Sequence, residues 1–191
     1  MWTGDTQALL GEPWGSMNEL LSLGVAGHPF GGADIPGYKL EPPEDLWVMM
    51  YQLGMFYPFF RAHNEINYQD REPWLQNERI QKVIYSAIMM RYDLIHYIYT
   101  MFYESSADAY PLVRAMWFEY PQDASVQTLD TQFMFGKNIL VCPKDQVPDN
   151  DELIWTVSCT FPENTKWYFW YHRVAFDSKP GVQTIHLPDT L

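Results

Sequence analysis

The chain has 191 residues and a mass of 22.5 kDa, enough for one ordinary domain or for one piece of a larger domain plus a small module. Hydrophobic residues make up 47% and aromatic residues 17%, which excludes a disordered chain and favours a packed, aromatic-rich fold. The formal net charge of -12 repels phosphate backbones and anionic lipid, so no nucleic acid partner is expected, and no apolar run approaches the ~20 residues that a membrane span requires.

Along the chain, Trp2-Thr3-Gly4 reads as a strand end, residues 16–23 as a helix closed by Gly24, and residues 25–30 as a strand leading into a Gly-rich loop. Strand, helix, strand is the grammar of a parallel sheet. Pro42 and Pro43 with Glu44 and Asp45 open a second helix, and Leu46, Met49, Met50, Leu53, Phe56 and Tyr57 follow at helical spacing. After a polar loop, residues 76–103 read as the longest helical stretch. Its face of Ile80, Val83, Ile84, Ala87, Ile88, Tyr92, Ile95 and Tyr99 is assigned to core packing.

From Leu112 the pattern changes to short strands separated by Pro, Asp, Asn and Gly, over residues 112–117, 133–135, 139–142, 154–160, 166–171 and 183–187. This reads as an all-β module sharing a packed interface with what precedes it. Cys142 and Cys159 have no metal-ligand spacing, and both a bridge between neighbouring strands and two free buried thiols remain open. His28, His96, His172 and His186 show no zinc spacing, so no metal is assigned, and the acidic residues between Asp108 and Glu152 read as solvated surface.

The chemistry lies in acidic residues set among aromatics and glycines: Asp5 in Trp2-Thr3-Gly4-Asp5, and Asp34 in the segment from Gly31 to Tyr38, followed by Phe59-Phe60-Arg61-Ala62-His63-Asn64. Desolvation beside an indole favours the protonated form of a carboxyl group, which suits a general acid. Aromatic faces stack on pyranose rings, while Asp, Arg and His hydrogen-bond hydroxyls.

These segments, with Arg71-Glu72-Pro73-Trp74, Arg91-Tyr92-Asp93-Leu94-Ile95-His96-Tyr97 and the stretch from Gln132 to Val141, resemble in order consecutive motifs of glycoside hydrolase family 31. The resemblance implies α/β then all-β architecture: the C-terminal part of a (β/α)8 TIM barrel over residues 1–113, then a β-sandwich domain over residues 114–191. It implies a retaining exo-α-glucosidase that releases terminal glucose from glucans or N-glycans without a cofactor.

Asp5 then matches the general acid/base. Asp34 and His63 match hydroxyl-binding residues with Arg61 beside them, and Trp2 and Tyr38 match aromatic walls. Two departures stand out. Thr6 occupies a position where the family usually has Asn, and the family's nucleophile and a sugar-binding Arg belong to earlier barrel segments absent from this sequence. Alone, these residues are therefore expected to be inactive, part of a longer chain. Implied partners are an oligosaccharide or glycan substrate, the remainder of the catalytic barrel and a regulatory β subunit. The implied location is the endoplasmic-reticulum lumen, with lysosomal or secreted relatives close. The rival reading is a non-catalytic, glycosidase-derived structural or interaction protein in a larger assembly.

Overall fold

Glu12 and Pro13 start the first helix, α1 (Glu12–Val25), with the acid in the first turn and the ring where a missing N–H costs nothing. Pro13, Ser16, Met17, Leu20, Leu21 and Gly24 form its buried face. A computed structural model describes residues 1–144, 147–148, 154–171, 173–176 and 179–188. The helix takes up Val25, and the strand expected over residues 25–30 does not form. Instead, Gly27 adopts φ 86° and the His28 N–H returns to the Leu23 carbonyl at 2.9 Å, turning the chain. Gly24 lies inside the helix, where an added Cβ would stand 3.0 Å from Pro111.

Three short segments then lie side by side and parallel. Trp2 bridges Gly32, and β1 (Asp34–Ile35) pairs with β2 (Arg61–Ala62), Asp34 opposite Arg61. Helix α2 (Glu44–Gly54) packs on β1, and an added Cβ at Gly54 would lie 2.2 Å from Ile35 Cδ1. The helix stops there; residues 55–57 continue as a turn, with the Tyr57 N–H on the Gly54 carbonyl at 2.8 Å.

The stretch read as one helix is two, α3 (Glu78–Asp93) and α4 (Ile95–Asp108), with Leu94 between them. Asn77 caps α3 by accepting from the Ile80 N–H at 3.1 Å. Arg79 pairs with Glu44 and Asp45 at the start of α2, and Arg91 donates to the carbonyls of Met55, Tyr57 and Pro58 beyond its end. Helices α2 and α3 therefore both begin at the carboxyl ends of the strands and finish at the opposite face. After the break at Leu94, Ile98 and Met101 of α4 face inward, while Tyr92 at the end of α3 and Ile95 and Tyr99 of α4 are 65%, 49% and 79% exposed. These three are not core residues.

The β-rich part begins with the antiparallel meander β3 (Val113–Ala115), β4 (Phe133–Phe135) and β5 (Ile139–Val141), with Val113 opposite Phe135 and Phe133 opposite Val141. The short helix α5 (Met116–Glu119) ends β3 earlier than the expected strand. Strand β6 (Ile154–Phe161) pairs along its length with β9 (Gly181–Pro188), and β7 (Trp167–Tyr168) pairs with β8 (Ala175–Phe176). The strand expected over residues 166–171 is cut short by the turn in which the Arg173 N–H meets the Phe169 carbonyl at 2.8 Å.

Buried Gln132 joins the meander to β6 as a strand would: its amide donates to the Thr160 carbonyl at 2.8 Å and accepts from the Thr160 N–H at 2.7 Å. Cys142 and Cys159 form a disulfide with a Cα separation of 5.6 Å, which settles their pairing. Arg114, 1% exposed, pairs with Glu119 and lies 3.8 Å from Glu104, tying α4 and α5 to β3. One cluster of buried side chains runs from Met17 and Trp47 through Ile84 to Phe133, Phe135 and Trp155, so both parts share a core.

Candidate active site at the carboxyl ends of the parallel strands

Parallel pairing brings together residues that are some thirty positions apart. Gly32 permits it: an added Cβ would lie 1.9 Å from the Phe59 carbonyl oxygen, so any side chain would push the segments apart. Asp34, at the head of β1, has no solvent-accessible surface. Its carboxylate accepts from Trp2 Nε1 at 3.2 Å and from Arg61 on the neighbouring strand, and a buried carboxylate requires such donors. The Arg61 guanidinium is held between two rings, 5.8 Å from the Trp2 centroid and 5.2 Å from that of Phe59. Its side chain stays 34% exposed and lies between Asp34 and solvent. Arg61 Nε is buried without a partner among the described residues.

Beyond the strand ends, Tyr38 and His63 face each other with ring centroids 5.3 Å apart. The His63 N–H meets the Ile35 carbonyl at 3.3 Å, and the N–H groups of Tyr38 and Lys39 both reach the Thr6 carbonyl, at 3.0 and 2.9 Å. The segment carrying Asp5 is thus bound to the loop carrying Tyr38. Asp5 is exposed, and among the described residues its carboxylate makes no hydrogen bond or ion pair. The Thr6 hydroxyl is buried and unpartnered among the described residues.

The Ile35-Pro36 peptide is cis, and the loop after it closes with Leu40 at φ 70°. Arg71 holds that strained residue by donating to its carbonyl at 2.5 Å while pairing with Glu41 at 3.3 Å. Its guanidinium, 4% exposed, sits below its ordinary pKa because burial outweighs the attraction of Glu41. Phe59 and Arg71 were not among the residues singled out by chemistry. Both lie in the motifs that carry the resemblance, which was the available signal.

The structure therefore gathers Trp2, Asp34 and Arg61 in one bonded cluster, and Tyr38 and His63 in a second against the backbone beside Asp5. The two lie at one end of the parallel strands, where carboxylates, a guanidinium, an imidazole and aromatic rings can meet a polyhydroxylated ring.

Residues 1–101 match the family described as "Glycosyl hydrolases family 31 TIM-barrel domain", and residues 109–190 match "Glycosyl hydrolase family 31 C-terminal domain". The chain belongs to glycoside hydrolase family 31. Among members of that family, it is 37% identical over all 191 of its residues to neutral alpha-glucosidase AB of Sus scrofa, covering 20% of that relative. It is 42% identical over 141 residues, 74% of its own length, to a probable glucan 1,3-alpha-glucosidase of Arabidopsis thaliana, covering 15% of it. The solved heterodimeric complex of ER glucosidase II, consisting of catalytic subunit and the binding domain of the regulatory subunit, superposes with a TM-score of 0.88 at 34% identity. That match covers 100% of this chain and 20% of the solved one. The family assignment gives the parallel segments their context as barrel strands followed by the family's C-terminal domain. The chain spans about 20% of the length of the relatives it matches in full.

Proposed function

We propose that these residues form the acid/base half of a retaining exo-α-glucosidase site that releases terminal glucose from a glucan or glycan. The observation that carries the reading is the placement of exposed Asp5 at the same strand ends as the Trp2–Asp34–Arg61 cluster and the Tyr38–His63 pair. Within this reading residues 1–113 are the barrel part and residues 114–191 the sandwich that follows, with the boundary falling inside β3.

A retaining mechanism uses two carboxylates about 5 to 5.5 Å apart. The nucleophile is contributed from outside these 191 residues. Asp5 protonates the departing glycosidic oxygen and later takes the proton of the attacking water. Asp34 holds Arg61 through charge-assisted bonds, and Arg61 with His63 presents donors to the sugar hydroxyls. Trp2 and Tyr38 wall the ring, with Trp2 fixed by its bond to Asp34. No cofactor enters this scheme.

The solved complex with the binding domain of a regulatory subunit supports a partner of that kind here. The disulfide supports an oxidising compartment, in keeping with the endoplasmic-reticulum lumen.

The test is hydrolysis of an aryl α-glucoside by the protein that carries this chain. Asp5→Asn is expected to lower kcat/KM by about 100- to 10,000-fold while leaving iminosugar binding in place. Undiminished activity in that variant, or none in a folded wild-type preparation that includes the second carboxylate, would remove the proposal.

A further inference from the structure

A cleft lies at the other end of the barrel helices, between the end of α3 and the β7–β8 hairpin, with a volume of about 830 Å³. Because α3 begins at the carboxyl ends of the strands, this cleft opens on the face opposite Asp5. Trp167, Tyr168 and Trp170 are among its six aromatic lining residues, and Tyr168 and Trp170 are 57% and 47% exposed. Lys137, Lys166 and Arg173 supply positive charge, and Asp93 is its one carboxylate among the described residues.

Charge carries the argument. The chain as a whole has a net charge of -12, yet three of its cations line one cleft. Elsewhere Arg61, Arg71, Arg79, Lys82 and Arg114 are matched with carboxylates and Arg91 donates to three backbone carbonyls, while among the described residues the scattered Lys39 and Lys179 make no ion pair. Among the described residues Lys137, Lys166 and Arg173 make no ion pair. Lys166 Nζ lies 5.6 Å from the Tyr168 ring, and Lys137 Nζ lies 4.8 Å from that of Tyr110. The hairpin turn bonds the Arg173 N–H to the Phe169 carbonyl and so sets the backbone of the third lining cation.

Indole and phenol faces suit the C–H face of a pyranose, and three cations against one carboxylate among the described residues suit an anionic substituent on it. A neutral sugar would leave that charge unused. We propose that this cleft is a non-catalytic binding site for a phosphorylated sugar, separate from the glycosidase site.

Titration of the protein that carries this chain with glucose 6-phosphate, followed by calorimetry and tryptophan fluorescence, tests the assignment. Glucose 6-phosphate is expected to bind at least tenfold more tightly than either glucose or inorganic phosphate, and equally well when an iminosugar saturates the glycosidase site. Lys166→Gln with Arg173→Gln should weaken binding at least tenfold without moving the melting midpoint. Trp170→Ala should do the same, and Trp170→Phe should restore most of the affinity. No binding at millimolar glucose 6-phosphate would overturn the proposal. So would equal affinity for glucose, equal affinity for inorganic phosphate, displacement by the iminosugar, or full affinity in the Gln double variant.

Discussion

Glu12 sits at the start of α1, where a helix N-terminus favours a charged carboxylate, yet its surroundings act the other way. Burial, with repulsion from Glu19 as the smaller cause, raises its pKa from 4.5 to about 7. Between about pH 4.5 and 7 the folded state therefore holds a proton that the unfolded chain has released. Its contribution to stability is complete below the unfolded value and is lost as pH rises through about 7. After allowance for solvent around a half-buried group, this amounts to about 1 kcal/mol. Urea unfolding at pH 5 and pH 8 should show that difference in the wild type, and Glu12→Gln should abolish the part due to this residue. A variant that keeps the whole pH dependence would place its origin elsewhere. Asp34 teaches a related lesson: its identity as an acidic site residue was readable, but its complete burial behind Arg61 was not, because burial depends on which strand lies alongside.

Among the elements, the parallel segments depend on Gly32. Its neighbour across the sheet is a backbone carbonyl, which cannot rotate away as a side-chain end can. Gly32→Ala is expected to cost about 1 to 3 kcal/mol and to separate Trp2 and Asp34 from Arg61. Lowered thermal stability together with impaired iminosugar binding would be the signature, whereas wild-type values of both would mean that the strands tolerate a wider spacing. Helical periodicity placed α2, and α3 with its buried Ile80, Val83, Ile84 and Ala87, because a repeating apolar face is a local property. It failed at Leu94. A pattern that continues through a bend looks unbroken in sequence, although the second helix turns a different face inward, exposing Ile95 and Tyr99, and Tyr92 already faces outward at the end of α3. Residues 25–30 failed for a similar reason: their apolar character fits a strand, but Gly27 and the hydrogen bonds to Leu23 and Gly24 fold them back.

The whole molecule is held together across its two parts by a common core and by links between sheets. Phe135 packs against Phe56 at 5.4 Å and against Tyr97 at 6.1 Å, joining the meander to the helical layer. The Cys142–Cys159 bridge closes a separation of 17 residues and connects the end of the meander to β6, near the place where Gln132 makes its paired bonds. A loop of that size is worth about 3 kcal/mol. The Cys142→Ser, Cys159→Ser double variant should melt roughly 10 °C lower than the wild type. An unchanged midpoint would show that Gln132 and the shared core suffice.

The sequence by itself determined the family, the order of the motifs and the acidic, aromatic and basic residues from which a sugar site is proposed. Those signals are contained in short runs such as Trp2-Thr3-Gly4-Asp5 and Phe59-Phe60-Arg61-Ala62-His63-Asn64. Tertiary structure alone decided that Arg61 lies between Trp2 and Phe59, that the two cysteines pair, and that Lys137, Lys166 and Arg173 gather around one aromatic cleft. The physical reason is register. Periodicity says which side of an element faces inward, but contacts between residues tens of positions apart are set by how strands align and by which helix covers them.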